Sequence, residues 1–152
     1  MKVNFINFSD PKDHKYFLLV GGEFILKQDA TDKILQKLIN DGFTEKVTIS
    51  QDELDTIQDV VSRNMGGSLF QENLIIHIKH TSGKFPEKIK SLLEDGQIFK
   101  SSNIALIIES SIEKIPASGS WIGNFDSFGL IINCSKLKVM EEKIWLKRQL
   151  DF

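Results

Sequence analysis

Tyr16-Phe17-Leu18-Leu19-Val20-Gly21-Gly22-Glu23 is the stretch on which the fold reading turns. Five consecutive apolar residues without polar alternation suit a strand buried on both faces, and such strands belong to parallel sheets covered by helices. The run stops abruptly at a glycine pair. From Phe24 the period changes: Leu26, Ala30, Ile34 and Leu38 recur every four residues, with Leu35 and Ile39 beside them. That spacing predicts an amphipathic helix that ends near Gly42.

The same alternation continues outward from this unit. Val47-Thr48-Ile49 reads as a short strand, and Ser50 with Glu53 three residues later forms a capping box for a helix carrying Leu54, Ile57, Val60 and Val61. Leu74-Ile75-Ile76-His77-Ile78 is a third strand. Pro86 suits the first turn of a helix over Glu87 to Asp95, with Ile89, Leu92 and Leu93 inward and Gly96 as its stop. Ile104-Ala105-Leu106-Ile107-Ile108 is the most hydrophobic strand candidate. Trp121, Phe125 and Phe128 share a helical face that Gly123 weakens. Leu130-Ile131-Ile132-Asn133-Cys134 makes the fifth strand, and Leu137 to Leu150 reads as a closing helix with Lys143, Lys147 and Arg148 outside. Residues ahead of Tyr16 read as a polar lead. Parallel strands need crossovers of about this length, so the expected fold is α/β: three layers, a five-stranded mainly parallel sheet with helices on both faces.

The totals agree with one domain over residues 1–152. A chain of 152 residues with 41% hydrophobic content supports one sizeable core. A net charge of -2, from 19 basic and 21 acidic residues, provides no overall attraction to nucleic acid or to a membrane surface. The single Cys134 has no internal disulfide partner, which fits a reducing compartment. Met1 to Asn7 lacks a signal-peptide core and no run approaches a membrane span, so the expectation is a soluble cytoplasmic protein without membrane partners.

The turn after the first apolar run is where a helix amino terminus would receive a nucleotide phosphate. A phosphate-cradling P-loop needs spaced glycines, then Lys and Ser or Thr. Gly21-Gly22-Glu23-Phe24-Ile25-Leu26-Lys27-Gln28 supplies neither the spacing nor the pair, Glu23 repels phosphate, and the third glycine of a dinucleotide fingerprint is missing. The third strand runs into Lys79 and His80 where such ATPases place acidic residues for magnesium. His77 and His80 point to opposite faces of a strand and cannot readily share a metal; each reads as a rim or solvent histidine. Asp29 and Asp32 read as a solvated helix face, Cys134 as a buried strand-end thiol, and Glu109 as a well-placed carboxylate that stands alone. No catalytic group, metal site or cofactor follows from these residues.

Met65-Gly66-Gly67-Ser68-Leu69-Phe70 links the second helix to the third strand and differs in kind. The glycine pair can end a helix, and Ser68, Gln71, Glu72 and Asn73 prefer water, which puts Leu69 and Phe70 on a loop. Such a pair either folds back over the core or is presented to a partner.

Together, Tyr16 to Glu23, Gln28-Asp29, the Gly66 to Phe70 link and Trp145 in a basic closing helix resemble a known family. The chain is similar to the amino-terminal domain of the delta subunit of the bacterial DNA polymerase III clamp loader. The resemblance implies an AAA+-like, P-loop-type fold without a functional P-loop, no catalysis, and cytoplasmic service in DNA replication. It implies that Leu69 and Phe70, with Ser68, bind the sliding clamp (the beta subunit) and favour its opening, with Met65 standing in for a large side chain that Gly67 replaces. Other loader subunits would be partners, DNA an indirect one, and the family's lid and collar domains lie outside this chain. Two alternatives stay open. One is a receiver-like or flavodoxin-like domain binding a small ligand at the carboxyl edge of the sheet; the other is an enzyme using Glu109 with His80 or Ser111.

Overall fold

The computed structural model describes residues 1–64, 73–115 and 119–150. Its strands are β1 (Lys2–Asn4), β2 (Tyr16–Val20), β3 (Glu45–Ile49), β4 (Leu74–His80), β5 (Ile104–Ser110) and β6 (Leu130–Asn133). All pair in parallel, in one sheet of order β1-β6-β2-β5-β4-β3. The α-helices are α1 (Phe24–Asn40), α2 (Ile57–Asn64), α3 (Glu87–Asp95), α4 (Ser120–Phe128) and α5 (Val139–Leu150).

Strand periodicity divides the apolar residues between two cores. Phe17, Leu19, Ile75, Ile107 and Ile132 meet Leu26, Ala30, Ile34 and Leu38 of α1 on one face, where Phe5, Phe8 and Trp145 of α5 complete the layer. Leu18, Ile76, Ile78, Leu106 and Ile108 meet α2, α3 and α4 through Ile57, Ile89, Leu93, Trp121 and Phe125 on the other. Phe17 to Val20 have no exposed surface, as a strand read from five unbroken apolar residues demands. The three layers expected from the sequence are present, with α1 and α4 on opposite faces.

The sheet has six strands where the sequence predicts five. The extra one, β1, lies in what reads as a polar lead. Lys2-Val3-Asn4 carries no apolar run because an edge strand is held by its ladder rather than by burial: Lys2, Val3 and Asn4 register with Ile131, Ile132 and Asn133. Local punctuation follows the sequence closely. At the end of α1 the Phe43 N–H reaches the Leu38 carbonyl and the Gly42 N–H the Ile39 carbonyl, with Gly42 at φ 97°, the paired bonds of a Schellman stop. The Glu53 carboxylate accepts from both the backbone N–H and the hydroxyl of Ser50, although the segment they open begins as a 3₁₀ turn (Gln51–Thr56) before α2. α4 runs through Gly123, while Phe128 ends half-exposed and stacked on Phe99.

Candidate functional site

The carboxyl ends of β2, β4 and β5 come together beside the first turns of α1. Chain connections leave β2 and β5 toward opposite faces here, the arrangement that opens a crevice in a parallel sheet. A cavity of about 260 Å³ lies there, with Gly22, Phe24 and Lys27 on one side and Lys79, Thr81 and Ser111 on the other.

The turn after β2 already has its partners inside the protein. The Gly21 N–H donates to the Ile112 carbonyl at 2.8 Å, and the Glu23 N–H to the Cys134 carbonyl at 3.3 Å. Gly21 sits at φ 111° with the Cys134 carbonyl packed against its Cα, a spot that only a residue without Cβ can fill. The Glu113 carboxylate lies against Gly22. A carboxylate therefore stands close to where a phosphate would approach the helix amino terminus.

Behind the turn, polar groups cross between layers. The His77 Nε2 and Glu109 Oε2 atoms are 2.8 Å apart, and the Thr31 hydroxyl donates to Glu109 Oε1 at 2.9 Å. Burial pushes the Glu109 carboxyl up, but the His77 bond and charge, the Thr31 hydroxyl and the Lys79 charge outweigh it and hold the group below its ordinary range. Lys27, 9% exposed, donates through Nζ to the Ser110 carbonyl at 3.1 Å. The Ser110 hydroxyl and His80 Nδ1 are 2.8 Å apart. Burial holds His80 below its usual pKa; the nearby Ser82 and Lys84 backbone offsets part of this, and the Lys27 charge adds to it.

Two sequence expectations are corrected by this geometry. His77 and His80 do face opposite sides of β4, but neither is a rim or solvent residue: they are 4% and 3% exposed. Each is tolerated because β5 brings a polar partner within reach: Ser110 lies level with His80, and Glu109, level with Lys79, reaches His77 diagonally across the same face. Glu109 lies inside β5 and does not stand alone. Sequence reading missed Lys27 and Thr31, although their spacing of four on the inward side of α1 is a signal, since a polar residue in a buried stripe needs a partner across the layer.

The catalytic alternative does not assemble. Glu109 joins His77 on one face while His80 pairs with Ser110 on the other, so among the described residues Glu109 is hydrogen-bonded to neither His80 nor Ser111. Burial pushes the Cys134 thiol up to about 12, which leaves it inert at neutral pH. Asp29 accepts from the Trp145 indole N–H at 3.3 Å and pairs with Lys33, tying α5 to α1. Among the described residues, no group of three or more His, Cys, Asp or Glu side chains is placed to hold a metal ion. Among them, too, no helix is long and apolar enough to cross a membrane.

The amino edge of the sheet holds the frame of the link from α2 to β4. Met65, Ser68, Leu69 and Phe70, the residues expected to bind a clamp, lie outside the described residues. Both flanks of the link are described. At α2, the Asn103 side-chain amide donates to the Asn64 carbonyl at 2.9 Å. At β4, the Asn73 carbonyl accepts from the Glu45 N–H, the Asn73 side-chain amide donates to the Gly42 carbonyl, and the Leu74 N–H reaches the Asn103 carbonyl. Asn103 thus holds both flanks. On α5, Arg148 donates to the Ile6 carbonyl at 3.0 Å, so this basic residue is at least partly structural.

Among solved structures, the Bacillus subtilis DNA clamp loader delta protein (YqeN) matches with a TM-score of 0.59 and 19% identity over 84% of this chain. The chain spans 40% of that protein's length. Saccharomyces cerevisiae RIF2 matches with a TM-score of 0.50 and 17% identity, covering 93% of this chain and 57% of that one. At such identities both show likeness of fold. No curated protein matches the sequence. The family described as DNA polymerase III, delta subunit, matches residues 17–135, from the first residues of β2 to just past β6. That span takes in the whole layered unit except the β1 edge and α5, and the chain belongs to the DNA polymerase III delta subunit family.

Proposed function

We propose that this domain is the clamp-binding part of a clamp-loader delta subunit in the cytoplasm, and that Leu69 and Phe70 insert into an apolar pocket of the sliding clamp, flanked by Ser68 and Met65. The observation that carries the reading is the tethered link itself. Two large apolar residues occur in a polar, glycine-rich stretch whose flanks, Asn64 and Asn73, are both bonded to the amino edge of the sheet. A short segment anchored at both ends loses less conformational entropy on docking than a free one, so more of its contact energy survives as affinity. Burying Leu and Phe yields roughly 1.5–3 kcal/mol each, whereas micromolar affinity requires about 8 kcal/mol, so Met65 and neighbouring surface must add to the contact.

The action is mechanical rather than chemical. A subunit that binds the open ring better than the closed one shifts the ring toward opening, and one that binds both equally shifts nothing. ATP hydrolysis belongs to other loader subunits, which with the clamp are the direct partners, while DNA is reached indirectly. The tied-off turn at Gly21-Gly22, with Glu113 against it, supports the absence of a working P-loop. The test is binding to the cognate clamp, comparing the native chain with a Leu69→Ala, Phe70→Ala double variant of unchanged melting temperature. Loss of binding in the folded variant is the expected result; equal binding overturns the assignment of the link. ATP with magnesium is expected to leave the melting temperature unchanged, and a saturable rise of the kind a bound ligand produces would contradict the degenerate P-loop.

A further inference from the structure

We propose that Phe128, at the amino edge of the sheet, is a second apolar anchor for the sliding clamp, docking on a flat apolar patch beside the pocket that takes the link from α2 to β4. Its role rests on the clamp-binding function and deepens it, because two side chains bury too little for a stable complex and more of this edge must touch the partner. Phe128 is 55% exposed, at the end of α4 where the chain turns into β6. Single exposed apolar side chains are common on protein surfaces. This one is set apart by how it is held and by where it lies.

The ring is fixed from behind. Phe128 stacks on Phe99, with centroids 5.3 Å apart and planes 18° from parallel. Phe99 in turn meets Tyr16 and Phe125 edge to face, at 4.9 and 5.8 Å. Gly129 lies so close to the Tyr16 carbonyl that a Cβ there would clash with it, which pins the backbone next to the ring. One ring face is therefore packed on the protein and the other is presented in a set orientation, so docking costs little side-chain entropy. The same shelf is continuous with the frame of the link. The Tyr16 hydroxyl donates to the Ser101 carbonyl at 3.2 Å, and the Ser101 hydroxyl donates to the Asn103 side-chain oxygen at 2.8 Å. Asn103 is the residue bonded to both flanks of the link. Only β5 separates β2, where the shelf packs, from β4, which the link enters, and two strand spacings are about 10 Å. A partner seated on the link reaches at least that far if it buries the surface of an ordinary specific interface.

The test measures binding of the chain to its cognate clamp with the link intact. Phe128→Ala is expected to weaken the complex about tenfold, since roughly half of a phenyl's burial is still to be gained there. A second measurement does not depend on truncating the shelf: p-benzoylphenylalanine at position 128 keeps an aromatic ring, and on irradiation it is expected to crosslink to the clamp. The same photoreactive residue in place of Phe24, which is exposed at the opposite, carboxyl edge, is the control and is expected not to crosslink. If Leu69→Ala with Phe70→Ala abolishes binding while Phe128→Ala binds as the native chain does, the anchor is overturned and the link assignment stands. If Phe128→Ala loses binding and the link variant keeps it, the anchor stands and the link assignment falls. No crosslink from position 128, equal crosslinking from positions 128 and 24, or a native chain that does not bind the clamp at all overturns the anchor.

Discussion

The two edges of the sheet are built on opposite terms. At the carboxyl edge, ionisable and polar groups from α1, β4 and β5 are drawn inward and bonded across the layers: Glu109 with His77 and Thr31, His80 with Ser110, and Lys27 with a strand-end carbonyl. At the amino edge, the described contacts around the link from α2 to β4 are asparagine and backbone ties, and the distinctive residues of the link are apolar. In a parallel sheet the carboxyl edge is the ordinary place for ligand chemistry. Here most of its polar groups are committed to one another, which makes them supports of the fold. Substitutions at the two edges should therefore separate: stability at one, partner binding at the other.

The largest separation is expected from the link. Leu69→Ala with Phe70→Ala removes roughly 3–6 kcal/mol of burial, so clamp affinity should fall by about a hundredfold or more, read by surface plasmon resonance, with the thermal midpoint unchanged. The reciprocal change is Glu109→Ala. It strips both the buried His77 ring and the Thr31 hydroxyl of their partner, and an unsatisfied buried group costs about 1–3 kcal/mol, so urea denaturation should show a loss of about 2–3 kcal/mol. Clamp affinity of the folded variant should stay near native. A Glu109→Ala protein that is folded yet loses clamp binding would erase the contrast between the edges.

A smaller effect sharpens the same contrast through pH. The folded Glu109 carboxyl titrates below its ordinary 4.5, because His77, Thr31 and Lys79 favour its charged form more strongly than burial disfavours it. A depressed carboxyl contributes stability that is fully present above 4.5 and is lost as the pH falls through the folded value. Glu109→Gln should flatten the acid limb of the stability profile below pH 4.5, in denaturant midpoints taken at successive pH values. Glu53 and Asp126, also held low by their hydrogen bonds, keep part of that limb in the variant. An unchanged acid limb would mean that Glu109 is not held by its neighbours.

Much of this fold is legible in the sequence, for a physical reason. Strands buried on both faces have no polar alternation to hide them, so Tyr16 to Val20 and Ile104 to Ile108 announce themselves, and the four-residue period of α1 gives the crossover. The Ser50-Glu53 box and the Gly42 stop are equally local. β1 is not legible, because Lys2-Val3-Asn4 is a strand only by virtue of the edge that β6 offers it. The carboxyl-edge network is half legible. Its members are 27 to 110 in the chain, and only strand order 2-5-4 sets Glu109 level with Lys79 and Ser110 level with His80. A histidine in an apolar run reads as exposed when its partner lies some thirty residues away. The link is the reverse case: Leu69 and Phe70 stand out by composition alone.

The smallest expected effect concerns His80, which tests whether the outer half of the carboxyl edge is as closely tied as the inner. Burial holds the folded ring below its ordinary 6.5, with the Lys27 charge acting in the same direction and the Ser82 and Lys84 backbone opposing. A depressed base binds fewer protons folded than unfolded between the folded value and 6.5, so stability rises with pH across that window and is lost as the pH falls through it. The slope from one such group is at most about 1.4 kcal/mol per pH unit. His80→Asn places an amide where Nδ1 meets the Ser110 hydroxyl, keeps that bond, and removes the titration. Stability curves between pH 5 and 7 should become shallower in the variant but not flat, because His14 is depressed in the same direction and remains. A variant with the native slope would place His80 in water, and the carboxyl edge would then be tied only through Glu109.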